Sequence, residues 1–471
     1  METVWWKLTL ALLMLAVSTL AKAPRSCHME DFIQAVKQVE DEESGSGSEP
    51  AAVLRRLRRA AGLNDAFIQH FLPDAALSPD LDADLLGYVR TAVPHGLLGE
   101  TQEQGVVLTP DGTTVALQPL LLGMEARLLS RTPGRPRGLY QLTLARDLGA
   151  ALRPGSADAG RFGPDGCWDS LTSPRVFTLS GPASPFTTAQ ANGAMDGVVL
   201  GAEASGRPAG PLRLSSLLTQ YYCRGLDARG LDGAPRLISR RRREIFRGMI
   251  LPPALARQVW RATDLQERLA GRPRTQGGKK KQLMVVKEGL REFVHMFMDC
   301  PPIIPRCVWG AEPYRGTPTK LSLPLSFLFI HHTSTPSQPC LTLQQCSADM
   351  RSMQRFHQDD RGWDDIGYSF VAGSDGHIYE GRGWHWQGAH TLGHNAVGFG
   401  VSFIGDYNAS LPTQHAMELV RERLASCAVG GGRLVSNFTL QGHRQVVNTA
   451  CPGDALYREI QGWEHFGEVQ K

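Results

Sequence analysis

Apolar positions change their period part-way along the chain. Ala51 to Leu63, Leu81 to Val93, Arg213 to Leu226 and Pro252 to Leu269 carry them at helical spacing. Leu283, Val286, Leu290, Phe293 and Phe297 continue that spacing, predicting a helix that leads into the next region and packs on it. Two stretches break the pattern. Glu40 to Pro50 is acidic and rich in Ser and Gly, which predicts a flexible linker. Pro154 to Pro211 is dense in Gly, Pro, Ser and Ala, which predicts irregular structure. From Cys300 onward strands alternate with helices. Leu325 to His331 reads as a buried strand. Leu343, Cys346, Met350, Met353 and His357 mark one face of a helix. Tyr368 to Ala372 and His377 to Glu380 form a hairpin turning at Ser374-Asp375-Gly376. Val397 to Ile404 is a further strand. Met417, Val420, Leu424 and Cys427 mark a second helix with Pro412 near its start, and Asp454 to Trp463 a last short one. The expected fold is α/β, a mixed β-sheet with flanking helices, preceded by a mainly helical and irregular N-terminal region.

The first apolar run, Leu8 to Ala16, comes after Lys7 and leads to small residues at Ser18, Ala21 and Ala23. It reads as a secretory signal peptide over residues 1–23, too short to span a bilayer. No later run has the length of a transmembrane helix, so the expectation is a secreted, extracellular protein without a transmembrane anchor. At 471 residues the chain is too long for one ordinary core. The composition shift divides it into residues 24–299, with no catalytic motif and no internal repeat, and residues 300–471. A net charge of +4 is small for this length and does not call for nucleic acid or a membrane surface. The basic runs Arg55, Arg56, Arg58, Arg59, then Arg240 to Arg243 and Lys279 to Lys281, read as solvated faces; the second also offers a site for a secretory protease. Export places the 9 cysteines in an oxidising compartment, where an odd number leaves one over. The sequons at Asn408 and Asn437 agree with that route.

The candidate chemistry lies near the C-terminus. His443 and Cys451 offer an imidazole and a thiolate, a pair suited to Zn²⁺ rather than Mg²⁺ or Ca²⁺. A catalytic zinc needs a third protein ligand. The end of the Leu325 strand supplies two candidates, His331 and His332, and spacing does not choose between them. Asn448 and Thr449 lie near the cysteine but are poorer ligands.

Four motifs in order carry a resemblance: Phe329-Ile330-His331-His332-Thr333, Gly362-Trp363-Asp364-Asp365-Ile366-Gly367-Tyr368-Ser369-Phe370, Gly373-Ser374-Asp375-Gly376 to Trp384, and Gly442-His443 to Cys451-Pro452-Gly453. Over about Cys300 to Phe466 the chain resembles the peptidoglycan recognition proteins, relatives of the phage-type zinc amidases. The resemblance implies zinc on His331, His443 and Cys451, with His332 beside a groove. It implies disulfides Cys340–Cys346 and Cys300–Cys427. It implies hydrolysis of the bond between N-acetylmuramic acid and L-alanine in bacterial peptidoglycan and muramyl peptides. Tyr368 would stabilise the oxyanion, while the Lys that phage enzymes place two residues before the ligand Cys is here Thr449. The implied substrate groove is His332, Arg361, Gly362, Trp363, Trp384, His390 and Asn395, and Gly362-Trp363 leans toward diaminopimelate-type stems. Many family members bind peptidoglycan without cutting it. They lack the cysteine ligand, and Cys451 here favours the enzyme over a non-catalytic recognition protein.

Overall fold

In the computed structural model, the described residues are 29–43, 49–72, 81–93, 105–129, 142–152, 162–163, 167–168, 177–178, 186–206, 212–223, 237–249, 252–271 and 276–468. The expected signal peptide and Cys27 lie outside them. The N-terminal half is built from helices α1 (Glu30–Glu43), α2 (Pro50–Ala60), α3 (Ala66–Phe71), α4 (Ala83–Ala92), α5 (Leu117–Leu129), α6 (Leu144–Ala151), α7 (Thr188–Gly206), α8 (Leu214–Tyr222), α9 (Ile238–Met249), α10 (Pro252–Leu269) and α11 (Gln276–Val294). One antiparallel hairpin, β1 (Val106–Leu108) with β2 (Thr114–Ala116), enters the same layer. Its apolar side chains form one core running from Met29 to Met298.

Four expectations fail in this half. The stretch taken as irregular holds the 19-residue helix α7, whose Ala and Gly make it small rather than flexible. It is buried nearly all round and crosses α5 glycine to glycine. A Cβ on Gly123 would stand 2.9 Å from the Gly197 Cα, and one on Gly197 would stand 2.7 Å from the Leu120 oxygen. The expected linker starts inside α1, where buried Glu40 accepts the Ser215 hydroxyl at 2.5 Å and the Leu214 amide at the start of α8. The basic runs are not solvated throughout. Arg58 is 0% exposed and pairs with Glu125 at 2.8 Å, joining α2 to α5. Arg56 is buried and pairs with Glu42. Arg242 is 1% exposed and grips Asp196 with two N–H bonds of 2.7 and 2.6 Å, while Tyr221 and Tyr222 donate to the same carboxylate. Such pairing is what allows a guanidinium to leave water. Arg243 is buried too, so a protease would have to unwind α9 to read the run. Finally, α11 carries Val286, Leu290 and Phe293 into the N-terminal core, with Phe293 and Phe297 against Phe186, instead of packing on the C-terminal sheet; Leu283 is exposed. The side chains of Lys279 to Lys281 lie outside the described residues.

After Cys300 a six-stranded mixed sheet takes over. Its strands are β3 (Ile303–Ile304), β4 (Leu325–His332), β5 (Phe370–Ala372), β6 (Ile378–Glu380), β7 (Gly398–Phe403) and β8 (Leu434–Gly442), in the spatial order β8-β4-β7-β5-β6-β3. Only the β5–β6 hairpin is antiparallel. One face is covered by the helical run 414–430 and by Asp454–Ile460, which bury Met417, Val420, Leu424, Leu456 and Ile460 against Leu328, Ile330, Phe399 and Val401. On the other side helix Leu343–Arg355 brings Cys346, Met350 and Met353 to Val371, Tyr379 and Ile404. Thr342 starts that helix, its hydroxyl accepting the Gln345 amide at 3.2 Å. Disulfides join Cys340 to Cys346 and Cys300 to Cys427.

The halves meet at the β1–β2 turn. Gly112 there adopts φ +77, and a Cβ on it would lie 3.0 Å from Ile304 and Leu343. Beside it, Asp111 accepts the Ser239 amide at 2.9 Å. Burial works against the charges of Asp111 and of His377 across the junction. Attraction prevails on both: His377, then Arg242, lowers the carboxyl, and Asp375, then Asp111, raises the imidazole.

Candidate metal centre and active site

β4 and β8 run parallel and end at the same edge, with Gly442 opposite Ile330. His331, near the end of β4, and His443, just beyond β8, therefore meet, their rings 4.4 Å apart. The loop after His443 turns back so that Cys451 joins them. Arg444 holds that turn: its backbone N–H donates to the Cys451 oxygen at 2.9 Å, and its guanidinium pairs with Asp454 and reaches the Ala450 oxygen. The Thr449 hydroxyl oxygen accepts the Cys451 amide at 3.2 Å. The three ligand atoms of His331, His443 and Cys451 all lie within 4.8 Å of one another.

This donor set suits zinc on geometry as well as on chemistry. Zn–N of about 2.0–2.1 Å and Zn–S of about 2.3 Å at a tetrahedral angle put nitrogen and sulfur about 3.6 Å apart. His331 Nδ1 and Cys451 Sγ are separated by 3.6 Å. The His332 amide donates to the same sulfur at 3.4 Å, a contact that favours a thiolate. Thr391 Oγ1 sits 3.3 Å from His331 Nε2, so a proton on Nε2 leaves Nδ1 free to ligate. Without an ion, burial and the neighbouring His443 hold His331 far below the usual imidazole range. Burial first, then His332, brings His443 down to about 4. Both rings are neutral at pH 7, as ligands must be. Burial pushes the Cys451 thiol up to about 12, so a metal would have to displace its proton. A second set, His295 with Cys300 and Cys427, is no ligand set because its sulfurs are bonded to each other.

Tyr368 lies against His331, ring centroids 5.5 Å apart, with Ser402 beside its hydroxyl. Burial, then the nearby Cys451, raises its pKa above the ordinary phenol value, so it remains a proton donor at neutral pH. His357 stacks on Trp363, at 4.7 Å and 21°, and meets Tyr368 edge-on at 5.8 Å. Exposed Arg361 and Gly362 continue that rim. On the other side His390, 6% exposed, packs edge-on to His331 at 5.3 Å. Asn395 accepts both the His390 and Thr391 amides, at 2.9 and 2.8 Å, so its oxygen holds the loop that carries them.

Two residues of the expected groove belong elsewhere. His332 comes next to His331 in a strand, so it points to the opposite face; its Nδ1 accepts the Tyr407 amide at 3.1 Å. Trp384 packs in the core of that opposite face, 4.2 Å from Phe370 and 5.1 Å from Phe399, with Arg433 over its ring.

The missed features have a signal in β7. Gly398-Phe399-Gly400-Val401-Ser402-Phe403 alternates small with large residues, and the large set faces the core. The small set makes room for rings on the site face: a Cβ on Gly400 would come within 2.3 Å of His390, and one on Gly398 within 2.4 Å of Phe329. Thr391 and Ser402 escaped the reading, an isolated Thr in a loop gives no signal, and His357 was read only as part of a helix face. Asn408 and Asn437 are both exposed. No helix among the described residues is long and apolar enough to cross a membrane.

Known proteins resemble this chain in sequence. Residues 321–454 match the family described as Amidase_2, N-acetylmuramoyl-L-alanine amidase. A mouse protein named N-acetylmuramoyl-L-alanine amidase is 43% identical, over 84% of this chain and 83% of its own length. A human protein of the same name is 39% identical, over 94% of this chain and 91% of its own. Peptidoglycan-recognition protein 1 of Holotrichia diomphalia is 43% identical over 36% of this chain and 83% of its own length.

Proposed function

The chain belongs to the N-acetylmuramoyl-L-alanine amidase family, together with the peptidoglycan recognition proteins, and we propose that it cuts its substrate as a secreted zinc enzyme at the His331, His443 and Cys451 cluster. Its activity is hydrolysis of the amide joining N-acetylmuramic acid to L-alanine. The unit that carries the activity is residues 300–471, with residues 1–23 as signal peptide and 24–299 as a separate N-terminal region. The single observation behind the zinc reading is the 3.6 Å separation of His331 Nδ1 and Cys451 Sγ, within a donor set of two neutral imidazoles and a thiol.

Zinc held there would supply a Lewis acid for the amide carbonyl and would lower the pKa of bound water to about 7. The chain's own groups do the rest. Thr391, 3.3 Å from His331 Nε2, can accept a hydrogen bond from a proton held there, which suits ligation through Nδ1. The Tyr368 hydroxyl, held protonated by burial, donates to the oxygen that gains charge when the carbonyl is attacked. Thr449, at the position of the missing Lys, accepts the Cys451 amide and keeps its own hydroxyl proton free to donate. Arg361, Gly362 and Trp363 on one rim and His390 on the other bound the space for muramyl peptide, with the Trp363–His357 stack as an apolar platform. Glycans at Asn408 and Asn437 would stand on exposed positions.

The test is release of stem peptide from a defined muramyl peptide, with and without a chelator. Peptide with a free L-alanine amine, lost on chelation and restored by Zn²⁺, is the expected result. Cleavage that survives complete metal removal would refute the zinc reading. Binding without product would leave a recognition protein with a structural cysteine.

A further inference from the structure

A cavity of ≈ 230 Å³ lies where α9 faces the helical run 414–430, and it shares no residue with the zinc cluster. Arg240, Arg243 and Arg247 reach it from α9, Arg423 from the opposite wall, and Pro301 and Pro302 from the chain between. Two of these cations are answered on the spot. Arg240 pairs with Glu244 at 2.9 Å, and Arg247 with Asp299 at 3.0 Å. Nearby acids are engaged as well, Glu422 by Arg421 and Glu418 by Gln414. Arg243 and Arg423 have no carboxylate within ion-pair reach among the described residues. Arg243 is 8% exposed, and its one hydrogen bond goes to the Cys300 carbonyl. Burial, with repulsion from Arg242, Arg423 and Arg247, drops its pKa to about 9. Elsewhere in this half a buried arginine has its carboxylate: Arg58 has Glu125 and Arg242 has Asp196.

We propose that this cavity binds a phosphate-class oxyanion that bridges Arg243 on α9 to Arg423 on the amidase side. A guanidinium fork takes two oxygens of such an ion, and charge-assisted bonds of this kind are the strong ones. Two forks on opposite walls need oxygens disposed around one centre. A tetrahedral phosphoryl group offers that, and a flat carboxylate presents a single edge. The volume leaves room for a free phosphate, a pyrophosphate or a small phosphate ester. Because the ion touches both halves, it stabilises their docked arrangement.

Thermal unfolding and calorimetric titration of the full chain, at fixed ionic strength, test this with inorganic phosphate, pyrophosphate and a hexose phosphate against sodium chloride. The expected result is saturable binding with a rise in Tm for at least one phosphoryl probe and none for chloride. Arg423→Glu, on an exposed side chain, should weaken that binding tenfold or more and leave amidase turnover unchanged, with Arg423→Lys falling between. Tighter binding of the ester than of the free ion would place a sugar in the cavity, and the reverse would assign the ion; both support the site. No saturable response to any phosphoryl probe overturns the proposal. So does wild-type affinity in Arg423→Glu, which would put the ion elsewhere, at the zinc cluster for example.

Discussion

The two halves bury polar groups for opposite ends. In the N-terminal half buried charges come with opposite charges: Arg58 with Glu125, Arg242 with Asp196 and two tyrosines. These pairs leave nothing over to act on a ligand, and they serve as joints between helices. Around β4 the buried polar groups are imidazoles without counter-charges. Burial keeps His331, His357 and His390 neutral, with His443 acting on the first and third and Arg382 and Arg361 on His357, whose Nδ1 accepts the Gly367 amide. A matched charge marks scaffold, while unmatched neutral donors converging on one point mark a site. Arg243 stands out because, buried without a carboxylate, it breaks the rule of its own surroundings.

That contrast breaks most sharply at Cys451. Cys451→Ser should take stem-peptide release to background while the denaturation midpoint and muramyl-peptide binding stay near those of the parent. Undiminished turnover would remove zinc from the account. Asp196→Ala is the counterpart in the other half. It leaves the Arg242 guanidinium buried and unpaired, a loss of about 3–5 kcal/mol by urea titration, with turnover of the folded fraction unchanged. A midpoint equal to the parent's would make that pair dispensable. Gly197→Ala probes the same half through shape. Its new Cβ, 2.7 Å from the Leu120 oxygen, forces α5 and α7 apart and should cost about 1–3 kcal/mol. No loss of stability would mean that the helices separate without penalty.

The smallest effect sharpens the comparison through pH. His357 is held at about 4 against an ordinary 6.5, by burial first and then by Arg382 and Arg361. Between those values the unfolded chain takes up a proton that the folded chain refuses. Stability around the site therefore falls as pH drops from 6.5 toward 4. Asp147 in α6 is pushed by burial from 3.8 up to about 7, so the folded chain binds the extra proton and acid stabilises its helix over that window. Hydrogen exchange on metal-free protein at pH 7 and pH 5, corrected for intrinsic rates, should show protection falling at residues 357–372 and rising at 144–151. Changes of the same sign in both would contradict the assignment.

Legibility in the sequence depended on range. Helix α10 and the strand Leu325 to His332 were legible because their apolar period is local and unbroken. β8 was not, because its pairing with β4 slips between Leu434 and Thr439 and the alternation slips with it. The members of the His331, His443 and Cys451 cluster were legible as residue types at a strand end and in a loop. The placement of His332 was lost by overlooking the strand's two-residue period, and that of Trp384 because its partners Phe370 and Phe399 come from two other strands. Buried arginines were illegible for a different reason: Glu125 is 67 residues from Arg58, and Asp196 is 46 from Arg242. No local pattern distinguishes them from solvated neighbours.

The disulfide between Cys300 and Cys427 also sets how the chain carries a mechanical load. Tension applied between its two ends would cross the sulfur bridge and run on through β8, sparing the loop of 127 residues that it closes. That slack loop carries His331 and Tyr368, while the taut segment carries His443 and Cys451. The His331, His443 and Cys451 cluster lies on the seam between the two, beside the β4–β8 pairing that holds the same seam together.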